Sequence, residues 1–253
     1  MFDPHGIDVM IPLGTGSQFK NLELRYCLRS LERYGRGIRR VVIVGEKPKW
    51  LSEAATHIYC PYFDGPKDAR IAFKTLWAFE HTDLSNEILF ANDDYIFREI
   101  FDVRQVPPYQ RGTLLDAANR HDGTPSDYHA ILKATHDLLL LAKLPAYFYD
   151  IHVPIRYRRD KFVELKPWWE KARTAHNGLV IKSIYANATC RNIIGPYLGD
   201  CKIGEYTTAD NLDRILAKQF PKRFMISYGD GPLYDNFEEW LYRHFPTKSR
   251  FEI

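Results

Sequence analysis

The chain has 253 residues, 45% hydrophobic and 26% charged, which suits a globular protein able to bury a sizeable core. Its 35 Lys and Arg against 32 Asp and Glu leave a formal charge of +3, so no polyanionic partner is required by charge alone. The four cysteines (Cys27, Cys60, Cys190, Cys201) have no CxxC spacing, which argues against a structural zinc site and for reduced thiols.

Met1–His5 lacks the basic and apolar regions of a signal peptide, and the apolar run Leu138–Ala142 is too short to span a bilayer. The expectation is a cytoplasmic protein without a membrane span.

In chain order, Ile7–Pro12 reads as a buried strand and Leu13–Ser17 as a turn. From Asn21 the apolar residues Leu24, Cys27, Leu28 and Leu31 keep helical spacing, stopped by Gly35 and Gly37. Val41–Val44 is a β-branched strand, and Ile58–Cys60 a short one. Lys67–His81 reads as a helix, and Glu87–Phe90 as a strand that runs straight into Asn92-Asp93-Asp94. This alternation predicts an α/β fold with a mostly parallel sheet flanked by helices.

Adjacent carboxylates repel unless a cation or donors compensate. Ligands of such sheets bind beyond the carboxyl ends of the strands, which brings Asp93 and Asp94 to the same edge as the Gly14–Ser17 turn. A divalent cation shared with a nucleotide diphosphate would balance the charge. The bland alternative is a turn or a helix cap. Gly14-Thr15-Gly16-Ser17 itself lacks the Lys-Ser/Thr ending of a P-loop and the third glycine of a dinucleotide fingerprint. It reads equally as a turn approaching a base or ribose and as a plain loop.

Beyond Phe101, Pro107-Pro108 and residues 119–126 read as surface loops, and Tyr128–Leu144 as a helix. Tyr149–Pro154 reads as a second strand, placing Asp150 and His152 on one face; His152 then suits a metal ligand, a general base or a hydrogen-bond donor to a phosphate oxygen, against a purely structural role. Arg156–Lys161 carries four cations in six residues. The default is a solvated turn, and the alternative is an anion or DNA contact through Arg156 and Arg158. Trp168-Trp169 reads as a packing wedge. Leu179–Tyr185 and Phe224–Tyr228 read as strands, the latter leading to Asp230, and Tyr234–Phe245 as an amphipathic helix.

Five blocks then resemble the Stealth family in order along nearly the whole chain: NLELRYCLRSLE from Asn21, VVIVGEKPKWL, LFANDD, DIHVP and FEEWLYRHFPTKSRFE. The resemblance implies a glycosyltransferase A-type fold, a nucleotide-sugar donor and transfer of sugar-1-phosphate. It further implies a divalent metal at Asp93 and Asp94, with His152 and the block after Asp230 contributing to the site. One departure is that the Trp-Val-Asp-Gly motif opening Stealth proteins is replaced by IPLGTGS at Ile11–Ser17, which favours plain glycosyl transfer.

The resulting expectation is a single domain, with residues 1–101 as the nucleotide-sugar half and 102–253 as the acceptor half. It is a transferase using Mn²⁺ or Mg²⁺ at Asp93, Asp94 and His152. Pro12, Gly14, Thr15, Gly16, Ser17 and Arg25 shape the nucleotide pocket, and Lys67, Arg70 and Asp93 contact the donor. Asp230 or His152 serves as base. The acceptor is a saccharide, or DNA through Arg156 and Arg158. Sugar-1-phosphate transfer and a non-catalytic carbohydrate- or nucleic-acid-binding module are the alternatives.

Overall fold

The computed structural model describes residues 3–119, 127–191, 193–203, 209–219, 223–229 and 237–253. β1 (Ile7–Leu13) is the middle of a five-stranded sheet. β3 (Ile38–Gly45) and β5 (Glu87–Phe90) flank it, both parallel. β4 (Thr56–Ile58) adds a parallel strand outside β3, and β8 (Ile155–Arg158) closes the other edge antiparallel to β5. The α/β class and the mostly parallel sheet are as the alternation predicts.

Strand pleating explains why the strands are almost wholly apolar. Val9, Ile11, Val41, Ile43 and Leu89 point into one core, shared with Leu24, Cys27, Leu28 and Leu31 of α1 (Leu22–Tyr34). Met10, Val42, Val44, Ile88 and Phe90 point into a second core, against α2 (Lys67–His81). Side chains alternate across a strand, so a sheet covered on both faces needs apolar residues at every position.

A third cluster joins Tyr26, Ile96, Ile226, Tyr228, Phe237 and Trp240. It rests on the antiparallel pair β6 (Tyr95–Phe97) and β9 (Met225–Ser227), with α8 (Ala209–Gln219) and α9 (Phe237–His244). A small parallel pair, β2 (Gly35–Arg36) with β7 (Phe101–Asp102), lies outside the main sheet. α3 (Leu114–Asn119) and α4 (Asp127–Leu141) pack on the first core, and α5 (Arg159–Glu164) and α6 (Lys166–Thr174) on the second. Trp169 is fully buried, stacked on Phe162 with its indole N–H on the Phe162 carbonyl (2.9 Å), as a wedge should be.

Two expected strands are corrected. Leu179–Tyr185 enters α7 (Ile181–Thr189) instead. Its β-branched residues suggest a strand, yet Ile181, Ile184, Tyr185 and Ala188 carry helical spacing and share the second core. Tyr149–Pro154 is likewise no strand: the Val153 N–H donates to the Ile151 carbonyl (2.7 Å), a three-residue turn centred on His152, and the strand begins only at Ile155.

Asp8 is a fully buried carboxylate at the start of β1. Arg39 grips it at 2.6 and 2.8 Å, and the Ser85 N–H donates at 2.9 Å. Removing the carboxylate leaves the Ser85 N–H without its acceptor and the partly exposed guanidinium groups of Arg39 and Arg40 without their partner. Asp8→Ala is expected to lower unfolding stability by about 1–3 kcal/mol, read from urea denaturation.

Candidate functional site

The carboxyl ends of β1 and β5 deliver the loops that form the site. Backbone pairing continues past β5, since the Ala91 N–H donates to the Met10 carbonyl (3.0 Å), which sets Asn92–Asp94 beside the end of β1. α1 covers this turn: the Cys27 thiol approaches the Asn92 carbonyl at 3.5 Å, and Glu23, one turn earlier, is buried and accepts from the Ser17 hydroxyl (3.0 Å). Ser17 thereby ties the glycine turn to a third carboxylate.

Asp94 Oδ2 accepts from the Ser227 hydroxyl at 2.6 Å, while Oδ1 is buried without a partner. The Asp93 carboxyl is pushed up to about 7 by burial, then by the charges of Asp94 and Glu23, with Lys67 opposing. The buried Tyr228 hydroxyl is also unpartnered, and its ionisation is opposed by burial and then by Glu23 and Asp94. An all-oxygen donor set with one orphaned carboxylate oxygen fits a hard divalent cation. Asp93 and Asp94 are the residues that would hold it. Among the described residues no three His, Cys, Asp or Glu side chains are grouped to hold a metal.

His152 joins a different partner from the one expected. Its Nδ1 lies 2.9 and 3.1 Å from the two Asp200 carboxylate oxygens, and its backbone N–H also points at Asp200 (3.3 Å). An Nδ1–H held by a carboxylate leaves Nε2 as the acceptor. Burial works against Asp200 ionisation, but the His152 bonds and the Lys202 N–H outweigh it and hold the carboxyl below the usual range. Asp150 accepts from the Tyr128 hydroxyl at 2.8 Å. Burial and then the Asp150 charge push Asp68, in the first turn of α2, up to about 7, against Lys67 and Lys182. Asp150, His152 and Asp200 line a cavity of about 530 Å³.

Beneath these groups lies Lys182 of α7, buried to 7% exposure. Its ammonium donates to the Tyr95 hydroxyl (2.9 Å) and to the carbonyls of Ile151 (3.1 Å) and Val153 (3.0 Å), the residues either side of His152. Tyr95 directly follows the acid pair, and its hydroxyl donates a hydrogen bond to the Val153 carbonyl (3.2 Å). One cation thus joins the acid turn to the His152 turn. Burial lowers its affinity for a proton, while Asp150, Asp94, Asp200 and Asp68 raise it.

The remaining expected residues divide. Pro12 is half-buried in β1, and Gly14, Thr15 and Gly16 are exposed, with open space where a Cβ at either glycine would stand. Lys67 and Arg70 are exposed at the start of α2, with Lys67 close enough to act on both Asp68 and Asp93. Arg25 is turned to the C-terminal segment instead, on Glu252 (3.1 Å) and over the Trp50 ring (4.4 Å).

Arg156 and Arg158 sit away from the acid turn because β8 runs antiparallel to β5, which pairs Arg158 with Glu87 at the far end. Arg156 binds Glu87 (3.0 Å) and the Val106 carbonyl, Arg158 binds Asp160 (2.8 Å), and Lys161 binds Glu164 (2.8 Å). Asp230 lies outside the described residues. Sequence reading overlooks Glu23, Asp68, Lys182 and Asp200. The first two pass as ordinary first-turn acids, and Lys182 is hidden by the strand reading of its segment.

The raised carboxyls imply a pH dependence of stability. Asp93 and Asp68 fold with values near 7 against about 4 unfolded, so the native state binds more protons between those values. Stability is therefore present below about pH 4 and declines as pH rises to 7. Asp200, Glu252 and Asp83, held low, act only below that window. Thermal melts at pH 5 and pH 7 without divalent cations are expected to show the lower Tm at pH 7, with Mn²⁺ recovering part of the difference.

No family model matches the chain, and no curated protein matches it. Among solved structures it is similar to the glycosyltransferase GlyE of Streptococcus pneumoniae TIGR4, at 10% identity and a TM-score of 0.44, over 89% of this chain and 55% of that one. The apo form of GlyE gives 11% identity and a TM-score of 0.42 with the same coverage. The 4-diphosphocytidyl-2C-methyl-D-erythritol synthase of Anaerococcus prevotii DSM 20548 gives 13% and 0.38, over 78% of this chain and 89% of that one. The chain spans just over half the length of the GlyE structures. Its own coordinates establish an α/β protein with a mostly parallel sheet and the Asp93–Asp94 turn at the carboxyl end of β5.

Proposed function

We infer that the protein is a metal-dependent glycosyltransferase that uses a nucleotide sugar, on a glycosyltransferase A-type sheet. The observation that carries this reading is the acid pair at the end of β5, with a buried, unpartnered Asp94 oxygen and an Asp93 carboxyl pushed up to about 7. A buried pair of this kind gains most from a cation that brings its own anionic ligand, and a nucleotide diphosphate is such a ligand. Mn²⁺ or Mg²⁺ at Asp93 and Asp94 would supply charge neutralisation on the departing diphosphate.

The residues of the chain do the rest. The open Gly14–Gly16 turn leaves room for the nucleoside, and Lys67, at the first turn of α2, adds a cation beside Asp93. His152, with Nδ1 engaged by Asp200, has Nε2 available to take a proton from an acceptor hydroxyl.

A DNA acceptor gains no support here: Arg156 is tied to Glu87 and the Val106 carbonyl, and Arg158 and Lys161 form exposed local pairs with Asp160 and Glu164. The Stealth-like blocks favour a second reading, sugar-1-phosphate transfer through the same acid pair and His152. A panel of nucleotide sugars with Mn²⁺, followed by chromatography of the released nucleotide, tests both. Glycosyl transfer or donor hydrolysis yields the nucleoside diphosphate, and sugar-phosphate transfer the monophosphate. Absence of any metal-dependent nucleotide release across the panel would count against both.

A further inference from the structure

The cavity beside the acid turn has a composition that selects its occupant. Part of its lining is apolar, from Ala117, Leu132, Phe148 and the ring of Tyr128. The rest is charged or polar: Asp150, which accepts from the Tyr128 hydroxyl, His152, Asp200, Arg111 and Lys202. At about 530 Å³ it falls within the range of pockets that take small molecules.

Its charges exclude two ligand classes. Carboxylates only accept hydrogen bonds, so Asp150 and Asp200 disfavour a phosphate or another anion. Arg111, 3.9 Å from Asp200, and Lys202 disfavour an organic cation. A neutral ligand rich in hydroxyl groups suits this mixed lining: its O–H groups donate to the carboxylates, its oxygens accept from the cations, and its C–H faces pack on the apolar residues.

We propose that this cavity is the acceptor subsite and takes a neutral saccharide, with Asp200 as the positioning residue that turns His152 Nε2 toward the acceptor hydroxyl. The role as acceptor subsite rests on the glycosyltransferase reading; the saccharide preference rests on the cavity alone. In the transfer step the acceptor hydroxyl gives its proton to His152 Nε2 while its oxygen forms a bond to the anomeric carbon of the donor. The bond from that carbon to the diphosphate oxygen breaks, and the nucleoside diphosphate leaves with the electron pair. His152 then returns the proton to solvent. The acid pair serves the leaving group and the cavity serves the nucleophile, so donor and acceptor occupy separate parts of one cleft.

The test uses the methyl glycosides of glucose, galactose, mannose and N-acetylglucosamine, with binding read by saturation-transfer NMR. A parallel titration follows UDP and GDP with Mn²⁺. At least one glycoside is expected to bind the wild-type protein, and about tenfold more weakly to Asp150→Asn, which keeps the side-chain shape. Leu132→Trp, which adds bulk to the apolar lining, is expected to weaken it at least as much. The proposal is overturned if none of the glycosides binds, or if a folded Asp150→Asn binds them within twofold of wild type. Glycoside binding sensitive to Asp150→Asn, without any nucleotide binding, keeps the saccharide cavity and removes the donor reading. Nucleotide binding without glycoside binding does the reverse.

Discussion

Asp94→Asn is expected to reduce metal-dependent turnover by about 10²–10³-fold, the range found when a group that stabilises transition-state charge is removed. The same substitution is expected to leave the metal-free protein as stable as wild type, or more so. Asp94 makes one described hydrogen bond, from Ser227, and an amide can still accept it through its oxygen. What disappears is a negative charge beside Asp93, which destabilises the empty site, while an amide NH2 takes the place of the unpartnered oxygen. A gain in stability at a place where activity collapses is the signature of a site strained for function. Denaturant melts and nucleotide-release assays on one preparation check both halves. A clear loss of stability in Asp94→Asn would mean that the residue is structural and that the cation seat lies elsewhere.

The second large effect is expected at Lys182. Lys182→Met keeps the length of the side chain and removes a buried cation whose three donors are all engaged. Two backbone carbonyls and the Tyr95 hydroxyl lose their partner, and four nearby carboxylates lose a counter-charge. A stability loss of about 3 kcal/mol is expected. Activity is expected to fall about 10²-fold, because the turn carrying His152 is no longer pinned to the turn carrying Asp93 and Asp94, and small displacements of reacting groups are costly. The Asp68 carboxyl separates this role from simple loss of fold. Lys182 opposes its rise, after Lys67, so removing Lys182 is expected to move the Asp68 titration further up, read by carboxyl NMR in whatever fraction stays folded. An unmoved titration would mean that the Lys182 charge does not reach these carboxylates.

These two residues also mark how far the sequence could be read. Asp94 was legible because four apolar residues, Ile88–Ala91, lead into it, and a strand covered on both faces must release its chain at the carboxyl edge of the sheet. The strands and α1 and α2 were legible for the same reason: their periodicity reflects burial, which is local to the segment. Lys182 was not legible. Its neighbours Val180, Ile181 and Ile184 are β-branched, and only the packing of Ile184, Tyr185 and Ala188 in the second core decides for a helix. Asp200 was invisible for a different reason. It stands 48 positions from His152 in a stretch without periodicity, and only the closed fold brings them together. The Arg156–Lys161 cations look like a binding patch in sequence, but antiparallel pairing sets Arg158 beside Glu87, at the end of β5 away from the acid turn, and Arg156 bonds Glu87.

The main sheet has one more consequence. Its outermost members, β4 and β8, have three and four residues, and β8 carries Arg156 and Arg158. Short borders with guanidinium groups give a second molecule little on which to zip its own backbone. The long apolar strands stay in the interior, where a colliding chain cannot reach them. Prolonged incubation of the folded protein at high concentration should therefore give little fibrillar precipitate from this part of the molecule.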